Sequence, residues 1–428
     1  MLAARASAAR SASRIARSAR RFATVVDTAG VKVAAADNGE PTTAVTFLVK
    51  AGSRYEPKPG VAHALKNYAF KSTDKRSALG TVREAELYGG VLSSTLSREH
   101  LAVTAEFLRG DEAFFVDVLS SFLTSTKFTR YELSELVAPT CEAESTAAAS
   151  DPAVRALEAA HALAFRAGLG NSIFAASGHH VSSEDVKAYA QSVFGQGNVA
   201  VLGTGIDAST LEKLLEKSLG SSFASASVPA AQASAYFGGE TRVDAHDGPQ
   251  TVFIGFGATG APSAELAVLA AHLDPTPSVK WTQGTSPIAA KVPAGASVRS
   301  VLLPYSDASL FGLLVQGETS ADVKAAGQAA VAALKAAGSL SGEELQKAVA
   351  KAKFAAASSF DAREGLIAAL GPKILAGSSA SIAEAVSSFE KVDASAYSKA
   401  AASLLKTKPT YVAVGDVASL PYADELGL

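Results

Sequence analysis

Residues 91–107 read Val-Leu-Ser-Ser-Thr-Leu-Ser-Arg-Glu-His-Leu-Ala-Val-Thr-Ala-Glu-Phe. In the second part of this stretch Leu101, Val103, Ala105 and Phe107 alternate with smaller or polar residues, the period-two pattern of a strand. Val91–Ser97 reads as another strand, and only a few residues separate the two. A parallel return would need a crossover of about a dozen residues or more, so these strands pair antiparallel. After Gly110 the period changes: Phe114, Phe115, Val118, Leu119, Phe122 and Leu123 fall on one side of a helix. Strands joined by short turns and followed by long helices place the chain in the α+β class, with helices layered on a largely antiparallel sheet.

Working outward, the same plan recurs at an offset of about 210 residues, visible in pattern rather than identity. Thr43–Lys50 alternates with Val45, Phe47 and Val49 on one face and ends at Gly52; Thr251–Phe256 does likewise. Both are expected to be half-buried strands. Leu310–Gly317 and a helix over Ser320–Ala337 repeat the step made by Leu101–Phe107 and its helix. Tyr131 opens a long helical stretch that pairs with one opening at Glu343. Val181-Ser-Ser-Glu-Asp, with Ser182 as N-cap and Asp185 three residues on, pairs with the stretch starting at Val392. Strands Val199–Leu202 and Tyr411–Val414 close the two halves at Gly203 and Gly415. A repeat of this length exceeds any solenoid unit, so it predicts two tandem homologous domains, 23–219 and 240–428, joined by a Ser/Ala/Gly-rich linker over 220–239.

The first 22 residues carry Arg5, Arg10, Arg14, Arg17, Arg20 and Arg21 and no acid. An Arg-rich, Ser/Ala-rich segment without acids, able to form a basic amphipathic helix, reads as a mitochondrial targeting presequence, with cleavage near Phe22. Its removal leaves 33 basic against 41 acidic residues, a net charge of −8, which argues against a nucleic-acid partner. No run of 18 apolar residues occurs, so no transmembrane segment is expected. The single Cys141 excludes an internal disulfide and reads as a packed small residue.

His63-Ala-Leu-Lys66-Asn67 has the layout of the inverted zinc motif H-x-x-E-H, with His63 and Asn67 one turn apart on a helix. The chemistry needs two imidazoles on the metal and a carboxylate as general base. Here the second imidazole is an amide and the base is a cation, so no zinc, no cofactor and no peptidase activity are expected.

In combination, Ala51-Gly-Ser-Arg-Tyr-Glu56, Gly60–Thr73 around His63, Val82-Arg-Glu84 through Gly89-Gly90, Ser97-Arg-Glu-His100 and Ala164–Asn171 resemble the pitrilysin-like metallopeptidase family. The resemblance covers the first domain well and the second only through the shared pattern. It implies two similar α+β domains facing each other across a cavity, and a third metal ligand, a Glu about 76 residues beyond the second His of the motif. Glu144, 77 positions after Asn67, matches that place, so the resemblance makes His63, Lys66, Asn67 and Glu144 vestigial positions without catalytic or metal-binding role. It further implies a non-catalytic structural subunit of mitochondrial ubiquinol-cytochrome c reductase. Such a subunit would lie on the matrix face of the inner membrane, alongside core protein 1 and cytochrome b, in a dimeric multisubunit assembly. The alternative within the family is a non-catalytic, presequence-holding subunit of the mitochondrial processing peptidase. Those subunits carry a glycine-rich loop, whereas Lys280–Pro287 here contains one glycine, Gly284.

Four other features carry bland expectations. His179-His180 read as a solvated turn; His161 reads as facing Glu158; Lys71, Lys75 and Arg76 read as a solvated basic face. Gly255-Phe-Gly257-Ala-Thr-Gly260 spells a dinucleotide fingerprint without the rest of its unit and reads as a turn.

Overall fold

A computed structural model describes residues 26–28, 30–37, 39–176, 180–220, 223, 232–277, 279, 281–282, 284–378 and 381–428. The leader 1–22, half of the 220–239 linker, His179, Lys280 and Gln283 lie outside the described residues.

The chain forms two compact units. The first is built on a six-stranded sheet of β1 (Val26–Thr28), β2 (Val31–Ala36), β3 (Thr42–Val49), β4 (Val91–Leu96), β5 (Leu101–Leu108) and β6 (Val199–Thr204), in the order β1-β2-β6-β3-β5-β4. The second has β7 (Gly239–Asp244), β8 (Gln250–Thr259), β9 (Ala296–Pro304), β10 (Ala308–Gly317) and β11 (Thr410–Gly415), in the order β7-β11-β8-β10-β9. Apart from the extra β1, the orders correspond strand for strand. Each sheet has one parallel pair, β2 with β6 and β11 with β7, and is otherwise antiparallel. The tight return read from residues 91–107 is there, with Val91 opposite Glu106 and Leu96 opposite Leu101. The duplication seen in the sequence is thus a duplication of topology and of strand direction.

The main helices of the first half of the chain are α1 (Val61–Asn67), α2 (Glu112–Ser125), α3 (Ala138–Ser150), α4 (Pro152–Phe165) and α5 (Ser183–Val193). Those of the second half are α6 (Ala264–Leu273), α7 (Ser320–Ala336), α8 (Gly342–Ser359), α9 (Arg363–Leu375) and α10 (Ala394–Leu405). The helix after β5 buries Phe115, Val118, Leu119, Phe122 and Leu123, as its period requires. Ser182 and Asp185 form a full capping box at α5, which satisfies two otherwise orphaned backbone donors. Asp393 caps α10 at the repeat-equivalent place by accepting from Ala396 N at 2.7 Å.

The expectation of half-buried strands fails. In β3 every residue from Thr43 to Val49 is buried, and in β8 every residue from Thr251 to Gly257. The reason is a second helical layer supplied from far along the chain. Residues 143–172, which include α4, belong to the second unit, and residues 359–385, which include α9, to the first. On α4, Ala156, Ala160 and Ala164 are fully buried at a four-residue spacing, packed with Phe253, Leu310, Leu314, Val412 and Val414. Small side chains let the helix axis approach the sheet closely. On α9, Leu366, Leu370 and Ile374 pack on Ala34, Ala200 and Leu202. A Cβ at Gly371 would fall 2.4 Å from Leu48 Cδ2, so a glycine is needed where this helix meets β3.

Gly255 and Gly257 also depart from the sequence reading: both lie inside β8, with Gly255 opposite Gly312 of β10. The missing side chains leave room for aromatic rings, since a Cβ at Gly255 would sit 2.4 Å from Phe253 Cε1 and one at Gly257 2.1 Å from Tyr236 Cδ2. Only Gly260, at φ +110°, serves a turn. Among the described residues no helix is long and apolar enough to cross a membrane.

Candidate functional site

The H-x-x-E-H-like residues sit on α1, a helix of seven residues whose start is fixed by Gly60 in the left-handed region at φ +88°. A Cβ there would meet that of Ala175 at 2.8 Å, so both backbone conformation and space require glycine. Glu56 Oε2 accepts from the backbone N–H groups of Gly60 and Ala62, each at 3.1 Å. Burial nevertheless dominates and pushes the Glu56 carboxyl up to about 7, against the pull of those two hydrogen bonds.

His63 is 2% exposed. Its Nδ1 accepts a hydrogen bond from Ala175 N at 3.1 Å, and its ring meets Phe174 edge-on at 5.8 Å. A backbone amide only donates, so Nδ1 holds the lone pair and the ring proton is on Nε2. A metal-bound histidine is arranged the other way, with one nitrogen on the metal and the other donating to a carbonyl or carboxylate. One turn on, the Asn67 amide donates to Cys141 Sγ on α3 at 3.2 Å. Lys66 is partly buried, and its carbonyl accepts from Ser94 Oγ of β4 at 3.2 Å. Glu144 follows Cys141 by three residues on α3, beyond a π-helical turn at Leu133–Val137. Among the described residues no group of three or more His, Cys, Asp or Glu side chains could hold a metal ion. The residue types do not fit the zinc motif: one imidazole is present, an amide stands where the second would be, and a lysine occupies the place of the base.

What the sequence did not reveal is how the motif segments support one another. Segment 51–56 packs on the turn 97–100, with Gly52 N donating to Glu99 O at 3.2 Å and Arg54 N to Arg98 O at 2.8 Å. A Cβ at Gly52 would lie 2.2 Å from Arg98 O. Arg54 Nη1 and Glu99 Oε1 form an ion pair at 2.7 Å, their side chains 3% and 6% exposed. Beside it, burial holds His100 down at about 4, so its imidazole is neutral at pH 7. Tyr189 of α5 closes the arrangement by donating to Gly52 O at 3.1 Å. The available signal was the co-occurrence of Arg54 and Glu99 in the two segments, but sequence alone does not pair them.

The remaining features resolve as follows. In the basic cluster Lys75 is exposed, as a solvated face requires, but it and Arg76 pair with Asp117 at 2.6 and 2.8 Å, Arg76 also pairs with Glu84 at 2.9 Å, and the Arg76 side chain is 19% exposed. Arg76 lies over the Phe114 ring, and burial lowers Lys71 below the usual ammonium value. His161, 1% exposed, engages Leu157 O through Nδ1 at 2.6 Å and Tyr305 Oη through Nε2 at 2.7 Å, where the sequence pointed to Glu158. Since a carbonyl only accepts, Nδ1 donates to Leu157 O. His180 is exposed, as a turn residue should be.

Comparison with known proteins places residues 32–177 in a match to the family model described as insulinase (peptidase family M16). Over nearly its whole length the chain is similar to mitochondrial proteins named cytochrome b-c1 complex subunit 2. That of Cryptococcus neoformans is 48% identical over 419 residues, covering 96% of this chain and 95% of the relative. The Saccharomyces cerevisiae protein is 32% identical, covering 90% and 94%. The human protein is 29% identical, covering 93% and 90%.

Proposed function

Because the chain belongs to the mitochondrial cytochrome b-c1 complex subunit 2 family, we propose that it is a structural subunit of that complex, ubiquinol-cytochrome c reductase, with no catalysis of its own. The observation that carries this is similarity running end to end, 96% of this chain against 95% of a relative bearing that name. Absence of catalysis is supported by the donor set around His63, which lacks the ligands and the base a zinc peptidase uses. The presequence-holding alternative is not favoured by the names of these relatives.

The chain sits peripherally on the matrix side of the inner membrane once residues 1–22 are removed. Supporting this are the basic leader, the mitochondrial relatives and the lack of a spanning helix among the described residues. Its partners are core protein 1, cytochrome b and the other subunits. The first unit offers a surface for such contacts: edge strand β4 exposes Val91, and the preceding helical segment exposes Leu79, Val82, Leu87 and Tyr88. Clustered exposed apolar side chains of this kind mark protein interfaces.

Metal analysis of the purified chain is expected to find far less than one zinc per molecule. A presequence peptide is expected to stay intact when incubated with the chain alone. Stoichiometric zinc together with cleavage would overturn the non-catalytic reading.

A further inference from the structure

A second concavity, in the second unit, has nothing to do with α1. It is a cleft of about 1020 Å³ between the end of α6, the end of α7 and the exposed side of α8. One wall is apolar, formed by Ala336, Leu340 and Phe354, the last 58% exposed. Two nitrogen bases, His272 and Lys351, line the same cleft and are both half-buried. Lys351 Nζ donates to Asp274 O and has no ion pair among the described residues. The His272 ring has no hydrogen-bond partner among the described residues.

We propose that this cleft binds an amphiphilic carboxylate, a medium- or long-chain acyl anion, with its head on Lys351 and His272 and its chain along Ala336, Leu340 and Phe354. The volume suits one such molecule, since small-ligand sites span roughly 300–1,000 Å³ and combine apolar walls with a few convergent polar groups. A partly buried ammonium whose hydrogen bond among the described residues goes to a neutral carbonyl, with the Asp274 charge acting on it from a distance, gains from a directly bound anion, because charge-assisted hydrogen bonds are the stronger kind. In keeping with that, burial lowers both His272 and Lys351 below their ordinary values. The head is singly charged. Glu344 also lines the cleft, with its carboxylate held by Ser341 N at 2.9 Å and Ser341 Oγ at 2.8 Å; its charge acts on His272 and opposes any anionic head, a phosphate or bisphosphate more than a carboxylate. Nothing in this inference depends on the complex-subunit reading.

Titration calorimetry on the purified full chain with dodecanoate below its micellar concentration tests it, with dodecanol and acetate as the partial probes. Dodecanoate is expected to bind one to one, at least tenfold tighter than dodecanol, with acetate too weak to detect. Lys351→Met should weaken dodecanoate by tenfold or more and leave dodecanol unchanged. Ala336 is exposed, so Ala336→Trp should fill the cleft and abolish both without disturbing the core; a melting curve verifies that each variant is folded. Equal affinity for dodecanoate and dodecanol would overturn the proposal. So would dodecanoate binding that survives Ala336→Trp, or binding of an acidic helical peptide but not of dodecanoate.

Discussion

Glu99→Ala is expected to destabilise the chain by about 3–5 kcal/mol, because it removes a carboxylate held 2.7 Å from a buried guanidinium. Arg54 and Glu99 are joined at 2.7 Å with side chains 3% and 6% exposed, so water cannot take over the lost partner without opening the segment. The damage should spread, because Arg54 lies in the same short stretch as Gly52, which contacts the 97–100 turn through its backbone, and Glu56, which holds the start of α1. Removing both charges is a different experiment. Arg54→Met with Glu99→Leu restores an apolar pair of similar volume and should recover most of the loss, since buried ion pairs are often replaceable though not breakable. Urea unfolding of the wild type, the single variant and the double variant checks this. A loss below about 1 kcal/mol for Glu99→Ala would mean the pair behaves as a solvated surface bridge.

Phe253→Ala should cost a similar amount, about 3–5 kcal/mol, at the upper end for a large-to-small core change. The ring is fully buried and lies over a cross-strand pair of glycines, with Cβ positions of Gly255 and Gly312 only 2.4 and 2.3 Å from its atoms. Neither glycine has a side chain that could relax into the space, and the facing layer is the alanine stripe of α4, whose methyl groups cannot extend. The cavity therefore persists instead of collapsing, which is the condition under which such changes cost most. A loss below about 1.5 kcal/mol in the same assay would show that α4 settles onto the sheet.

These two sites also mark where sequence reading stopped. Local pattern was readable: the antiparallel return at 91–107, the helix after Gly110, and the Ser182–Asp185 box each depend on neighbours within a few residues. The duplicated topology was readable because each of its steps is local. What could not be read was the second face of each sheet. Alternation in Thr43–Val49 and Thr251–Phe256 reported the inner face, while the outer face is covered by α9 and α4, each far away in sequence. The sequence reads Gly255 and Gly257 as a turn for the same reason, since the rings that need their space are set by tertiary packing. At α1 the departures from the zinc motif, Lys66 and Asn67, were legible from residue type alone. The replacements, Ala175 on His63 and Cys141 on Asn67, come from segments more than seventy residues on and leave no periodic trace.

The central claim is that this fold serves assembly, its peptidase chemistry gone. The most direct test is to tag the chain at its C-terminus in its host's mitochondria, solubilise gently, and ask what remains bound. Stoichiometric recovery of cytochrome b and core protein 1 with the tagged chain is the expected result. Recovery of the chain without cytochrome b, or with a zinc-bearing processing subunit in its place, would contradict it.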